Sequence, residues 1–423
     1  MKSQNRSMNL RTICLILLVA GASIFNSLRI FKDDHSAGSY SDFINPYIGA
    51  TLWLDNKNPY DDQLLKIRWE QVKKEEHIPS SFIIGQPDGP FVYPIISIPF
   101  FSWVQFFPYT QCYRLWQYIC IISLIVSYVY SLKIMDYYGV NSFIDRICFT
   151  GICLSIKFLY ASIFLGQPAL LAIAFALAGY YYFLKERTLL SGILFGLATI
   201  KITILFPFLL VILLFKRWKI LCIVLGIMTI LIAIFFMKDV SMQNMFIEYS
   251  KGIAVLNATI FNIPSGTLYT DLMTKSTELI TITTYMVPAG FQYAIWIKIV
   301  FTLLLVALLY SSADFLKKEK PVLLLIISIW SLLIMYHIMY DCIILLPMYI
   351  VYAIYKLDTL EKISFIGFLI LLILPVNGML DKLHTGNDLL SLGYLHIPLA
   401  LLFLIVVLVR FVRRRSILNH RFI

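Results

Sequence analysis

Apolar runs separated by short polar segments follow one another along almost the whole chain. A helix that crosses a bilayer needs about 20 predominantly apolar residues. On that measure we predict about twelve membrane helices, at 11–31, 114–135, 147–165, 168–184, 188–200, 202–215, 219–237, 291–312, 321–336, 340–355, 363–380 and 392–411. Two longer polar stretches, 32–90 and 238–290, interrupt the pattern. The pattern therefore predicts an all-α polytopic membrane protein, with residues 1–423 forming a single integral membrane domain.

The composition agrees with a membrane protein and argues against a nucleic-acid partner. The chain is 60% hydrophobic and 14% charged, whereas soluble domains average about 25% charged residues. Its net charge of +11 comes from basic residues in short clusters between apolar runs. Such clusters are typical of cytoplasmic loops.

The basic clusters also predict which loops share one side of the membrane. All of them can be cytoplasmic only if the segment 91–107 does not cross the bilayer. We therefore expect this segment, which contains Pro94 and Pro99, to be an interfacial or re-entrant helix. The polar stretches 32–90 and 238–290 then become two extracytoplasmic loops. We expect the first helix to be retained, although Ala20-Gly21-Ala22 resembles a signal-peptide cleavage site.

The apolar stretch 188–215 is too long for one straight crossing. Its 28 residues would form a helix of about 42 Å at 1.5 Å per residue. Basic residues flank both of its ends, at Lys185 and Arg187 and again at Lys216 and Arg217. We therefore predict two short helices that meet at an outer turn near Lys201. This lysine could neutralise a lipid-linked phosphate, or it could reach the headgroups as a snorkelling side chain.

The stretch Ser39–Asp62, SYSDFINPYIGATLWLDNKNPYDD, follows the first apolar run and carries candidate chemistry. Asp42 lies near the outer interface, where a partly shielded carboxylate can act as a general base. The two Asn-Pro pairs predict turns, and Asn58, Tyr60 and Asp61 belong to the second. Asp61 either caps the helix that follows or takes part in function.

Other polar residues interrupt apolar segments at the same predicted face. His337 and Asp341 are four residues apart, so on a helix they share one side and could bind phosphate or sugar hydroxyls. Gly166-Gln167-Pro168 breaks two apolar helices, and Gln167 either binds a ligand or satisfies the broken backbone. The seven cysteines form no CxxC pair and the six histidines show no ligand spacing, so we predict no metal site.

Taken in order, these residues resemble the GT-C glycosyltransferases of family 87, the polyprenol-phosphate-mannose-dependent mannosyltransferase group. The resemblance rests on Asp42 and Asn58-Pro59-Tyr60-Asp61, then on Tyr93-Pro94 and Gly166-Gln167. It continues with Gly192, Gly196 and Lys201, and ends with His337, Tyr340 and Asp341. The chain departs from the family at Ile95, where a second proline is usual, and lacks the basic residue after the late motif.

The resemblance implies an inverting transfer of a hexose, mannose by analogy, from a polyprenyl-phosphate-sugar donor to a lipid or glycan hydroxyl. Asp42 would be the base, while Lys201, His337, Asp341, Gln167 and Tyr93 would bind the donor. Asn58, Tyr60 and Asp61 would bind the acceptor or order the loop. No cofactor and no metal is implied, and the membrane would be a bacterial inner membrane with the site facing the periplasm.

Two other functional classes of membrane protein, and a purely structural membrane protein, remain open from the sequence. A lipid-linked-sugar transporter or flippase would show inverted repeats and polar residues near the bilayer midplane, and we find no repeat. A polysaccharide polymerase would carry its large outer loop late in the chain, often with arginines. The later loop, 238–290, contains no arginine.

Overall fold

The computed structural model describes residues 42–77, 93–155, 165–238 and 290–311, with Gly21, Phe91, 162–163, Met245, 247–251, 326–328 and 330–331. This part of the chain is helical and contains no β-strand. The α-helices are α1 (Ile44–Leu54), α2 (Asp62–Glu75), α3 (Tyr109–Tyr137), α4 (Phe143–Ser155), α5 (Ala169–Leu184), α6 (Thr188–Leu197), α7 (Ile202–Leu214), α8 (Trp218–Phe236) and α9 (Gly290–Ser311). Two 3₁₀ helices join them, η1 (Ile95–Phe106) and η2 (Ala198–Lys201).

Three described stretches are long and apolar enough to cross a membrane, namely Tyr109–Tyr137, Thr188–Leu214 and Trp218–Phe236. The all-helical membrane class is therefore confirmed. The full count of about twelve spans stays a prediction, because most of each expected helix at 11–31 and 321–336, and all of those beyond 336, lie outside the described residues.

The second of these stretches does not run straight, because the chain reverses at Lys201. In one continuous helix, Phe195 and Phe208 would be about 20 Å apart, but their ring centroids are 5.7 Å apart. Arg217 also forms a 2.8 Å ion pair with Glu186, so the turns before α6 and after α7 lie side by side. Helices α6 and α7 therefore form a hairpin, as the sequence predicts, and we call the end with these turns the basic end.

Two glycines allow α8 to pack closely against α6. A Cβ atom on Gly192 would lie 2.7 Å from the Cβ of Ile223, and one on Gly196 would meet Ile227. The matched residues advance by four on both helices, so α6 and α8 run in the same direction. This parallel pairing is possible only because α7 returns the chain to the basic end between them.

Helix α3 runs along α5 and reaches from one end of the bundle to the other. At the basic end, the Lys185 ammonium lies 5.2 Å from the Tyr137 ring centroid. Near the other end of α3, the Trp116 indole N–H donates to the Gly166 carbonyl at 2.7 Å. We call this second end the site end.

Helix α1 and the 3₁₀ helix η1 pack together at the site end. Sequence reasoning placed α1 inside a polar loop, yet nearly all of its residues are buried. The expected turn at Asn45-Pro46 is wrong, because both residues lie in the first turn of α1. Proline is tolerated there since the N–H groups of a first helical turn have no intrahelical acceptor.

The segment predicted not to cross the membrane forms η1, which packs against α1, α8 and η2. Pro94 is its N-cap residue and Pro99 lies within it. Its depth in the membrane stays a prediction. Helix α8 ends at the same place, where the Trp53 indole donates to the Phe235 carbonyl at 2.9 Å.

Candidate functional site

Asp42 lies at the entrance to α1 and is half-buried. Removal of its carboxyl group from water raises the pKa of Asp42 from 3.8 to about 6, and the positive charge of Lys201 opposes part of that rise. The carboxyl group and the lysine are thus electrostatically coupled across 159 positions of sequence. A carboxylate with a pKa near 6 is ionised at neutral pH and is still basic enough to accept a proton.

The break between η2 and α7 positions Lys201. Its backbone angles are φ −136° and ψ 90°, which are extended rather than helical. The chain therefore cannot continue as a helix through this residue, and the break places Lys201 at the tip of the α6–α7 hairpin. Helix η1 packs against η2 there, so the tip is enclosed by the segment that carries the Tyr-Pro motif.

The Gly166-Gln167-Pro168 break lies directly beside the entrance to α1. The Phe43 backbone N–H donates to the Leu165 carbonyl at 3.2 Å, which fixes Asp42 one residue from this contact. Gly166 has φ +68°, and a Cβ atom there would lie 2.9 Å from that of Phe43. Only glycine suits both conditions. Gln167 is buried, since only 4% of its surface is accessible to solvent.

The Asn-Pro-Tyr-Asp element orders the first loop through hydrogen bonds. The Asn58 side-chain oxygen accepts from the Tyr60 N–H at 3.0 Å. The Asp61 carboxylate accepts from the N–H groups of Gln63 and Leu64, at 2.9 and 3.1 Å, so it is the N-cap of α2. The sequence left open whether these residues order the loop or take part in function. The contacts show that they order the loop.

A hydrogen bond connects this element to the Tyr-Pro motif. The Tyr60 hydroxyl donates to the Tyr93 carbonyl at 2.8 Å, and the Tyr60 ring packs edge-on against Tyr249 at 5.1 Å. The second contact joins the first long polar stretch to the second. Two motifs that look unrelated in sequence therefore belong to one layer at the site end.

Sequence reasoning missed Glu76 and Phe43, which also build the site end. The Glu76 carboxylate accepts from the Tyr109 and Thr110 N–H groups and so caps α3 from another helix. The Phe43 ring stacks on Trp116 with centroids 5.5 Å apart. The many aromatic residues at 91–116 were a signal for such packing, whereas the local sequence gives no sign of a cap supplied 33 positions away.

The structure thus brings Asp42, Lys201 and the Gln167 break to one end of the bundle, with Tyr93 in the adjoining layer. His337 and Asp341 lie outside the described residues. Within the described ranges, no three histidine, cysteine, aspartate or glutamate side chains are grouped so that they could hold a metal ion. A reaction that uses no metal stays a prediction.

Comparison with known proteins gives one family match. Residues 91–335 match glycosyltransferase family 87, which is more than half of the chain. Tyr93, Gln167 and Lys201 lie within the matched residues, while Asp42 and the Asn-Pro-Tyr-Asp element precede them. A search of curated proteins and a search of solved structures gave no match.

Proposed function

The chain belongs to glycosyltransferase family 87 and is therefore a membrane glycosyltransferase. We propose the following reaction for it. We infer that it moves a hexose, with mannose as the first candidate, from a polyprenyl-phosphate-linked donor to a hydroxyl of a lipid or glycan acceptor. The proposed site faces the exterior of a bacterial inner membrane. The observation that carries the proposal is a half-buried Asp42 within electrostatic reach of Lys201.

In the proposed reaction, the acceptor oxygen attacks the anomeric carbon as its proton passes to the Asp42 carboxylate. The bond between the anomeric carbon and the phosphate oxygen breaks, and its electron pair leaves with the polyprenyl phosphate. One displacement inverts the configuration at that carbon. Because phosphate is already a good leaving group, the reaction needs no second carboxylic acid, unlike glycoside hydrolysis.

Lys201 has two proposed roles in this site. Its charge favours the ionised form of Asp42, which keeps the base active near neutral pH. The same cation would stabilise the negative charge that develops on the departing phosphate. We propose Gln167 and Tyr93, together with His337 and Asp341, as further donor-binding residues.

The test is sugar transfer from radiolabelled polyprenyl-phosphate-mannose by membranes that contain wild-type or Asp42→Asn protein. We expect the variant to lose about 10²- to 10⁴-fold in rate, the usual contribution of a general base. The matched control is Asp55→Asn, since Asp55 is an exposed carboxylate at the other end of α1 and should not affect transfer.

Three outcomes would revise the proposal in different ways. Equal rates for wild type and Asp42→Asn would remove Asp42 from the chemistry. Transfer from another lipid-linked sugar, but not from the mannose donor, would change only the sugar. Movement of the intact donor across the membrane without transfer would favour a flippase over a transferase.

A further inference from the structure

A groove of ≈ 560 Å³ opens at the basic end of the bundle, where the chain passes from α5 into α6. One wall is apolar and exposed, formed by Leu189, Leu190 and Ile193 with exposed fractions of 65%, 41% and 36%. Because Leu189 and Ile193 are four residues apart, they lie on one side of α6. The wall is thus a strip that runs along α6, away from the turn.

The rest of the groove lining is polar and includes two charged side chains of opposite sign, Glu186 and Arg187. Arg187 is exposed, and among the described residues it forms no ion pair. The neighbouring Glu186 carboxylate is held at 2.8 Å by Arg217. Tyr182 and Thr188 belong to the same lining, and the Tyr182 hydroxyl accepts a hydrogen bond from Tyr130 at 3.3 Å, which leaves its own proton free to be donated.

The surface around the groove is positively charged. Lys185 and Lys216 are exposed on the adjoining turns, and Lys219 is exposed in the first turn of α8. With Arg187, Arg217 and Glu186, these residues carry five positive charges and one negative charge. The groove therefore combines an apolar strip with one arginine unpaired among the described residues and a surrounding surface rich in basic residues, in a chain with membrane-spanning helices.

We propose that this groove binds an anionic phospholipid. Its phosphodiester head lies against the Arg187 guanidinium, which can donate two parallel hydrogen bonds to phosphate. The hydroxyls of Tyr182 and Thr188 supply further donors. One acyl chain lies along the strip formed by Leu189, Leu190 and Ile193. Basic pockets between helices on the cytoplasmic side of membrane proteins recognise anionic headgroups in this way.

The proposal does not depend on the transfer reaction, although the groove and Lys201 lie on the same α6–α7 hairpin. Arg187 and Thr188 lie at the base of α6, and Lys201 lies at the tip that α6 leads to. A lipid in the groove would occupy the space beside α6 at its base. The site is distinct from the one at Asp42 because it lies at the opposite end of the bundle.

The experiment titrates the full-length protein in detergent with phosphatidylglycerol or phosphatidylcholine and counts bound lipid by native mass spectrometry. We expect wild-type protein to retain phosphatidylglycerol in preference to phosphatidylcholine. Arg187→Gln should weaken that binding about fivefold, the effect of one interfacial cation. Arg187 makes no side-chain cap for α6, so its loss should leave the helix intact, which size-exclusion chromatography checks.

The matched control is Lys219→Gln, which removes one positive charge from the same end without touching the groove lining. It should bind phosphatidylglycerol like wild type. Equal retention of the two lipids would overturn the proposal, and so would equal weakening by Arg187→Gln and Lys219→Gln, since both indicate diffuse attraction. Displacement of the lipid by millimolar inorganic phosphate would also overturn it, because the apolar strip would then contribute nothing.

Discussion

At the scale of single residues, Lys201 offsets part of the cost of burying the Asp42 carboxylate. Burial disfavours the charged form of a carboxyl group, and a nearby positive charge favours it. Since burial raises the pKa of Asp42 to about 6, the folded protein binds a proton there more tightly than the unfolded chain does.

This pKa sets the expected pH dependence of the reaction. The base must be ionised, so kcat/KM should fall as the pH is lowered through about 6, the pKa of Asp42. Lys201→Met removes the charge that lowers this pKa, so the acid limb should move to higher pH in addition to any loss of rate. The measurement is kcat/KM from pH 5 to 9, with Lys57→Met as the control, because Lys57 is exposed at the site end. An acid limb that stays in place in Lys201→Met would show that the two groups do not interact.

The same linkage predicts that Asp42→Asn remains folded. Ionising a carboxyl group whose pKa is raised by burial costs folding free energy at every pH above that pKa. The neutral amide avoids this cost at pH 8, so we expect the variant to be at least as stable as wild type and its low rate to come from lost chemistry. A thermal unfolding curve in detergent at pH 8 gives the control for the activity assay.

At the scale of elements, the close contact of α6 with α8 depends on two glycines. Gly192→Ala would place a methyl carbon 2.7 Å from the Cβ atom of Ile223, which is too close for an ordinary contact. We expect a loss of about 1–3 kcal/mol in the free energy of unfolding, as for other overpacked sites. Gly226→Ala on α8 is the matched control, since its Cβ atom would have no neighbour within 4 Å, and alanine favours helix. Chemical denaturation in detergent measures both, and equal stability of the two variants would contradict this packing.

The elements also show where sequence reasoning succeeds and where it stops. The hairpin at Lys201 could be predicted because helix length and the charges at both ends allow only a fold-back. Helix α1 could not, because its 11 residues are too few to span a membrane and polar segments flank it. The Glu76 cap of α3 and the Tyr60–Tyr93 hydrogen bond depend on tertiary contacts, so no local pattern indicates them.

At the scale of the whole molecule, the two ends of the bundle differ in chemistry. The basic end holds the charged turns and the groove, and the site end holds Asp42, Lys201 and the layer formed by η1 and the first polar loop. Among the described residues with predicted roles, Asp42, Gln167 and Lys201 come from separate regions of sequence and lie at one end because the helices run back and forth. Their order along the chain could be read from sequence, whereas their mutual positions required the fold.

This polarity makes the orientation in the membrane testable. We expect Lys57→Cys, at the site end, to react with a membrane-impermeant thiol reagent in intact cells. Lys219→Cys, at the basic end, should react only after permeabilisation, because basic turns stay in the cytoplasm. Labelling is measured against the parent protein, which retains its own cysteines. The reverse pattern would place the proposed site on the cytoplasmic side.

The fold-back at Lys201 also constrains how the protein is made. Residues 188–201 form a rod of about 23 Å, and α7 is about 20 Å long, both shorter than the roughly 30 Å hydrocarbon layer. Each arm alone is therefore short for a crossing. We expect the two arms to enter the bilayer from the translocon together, after synthesis has passed Arg217.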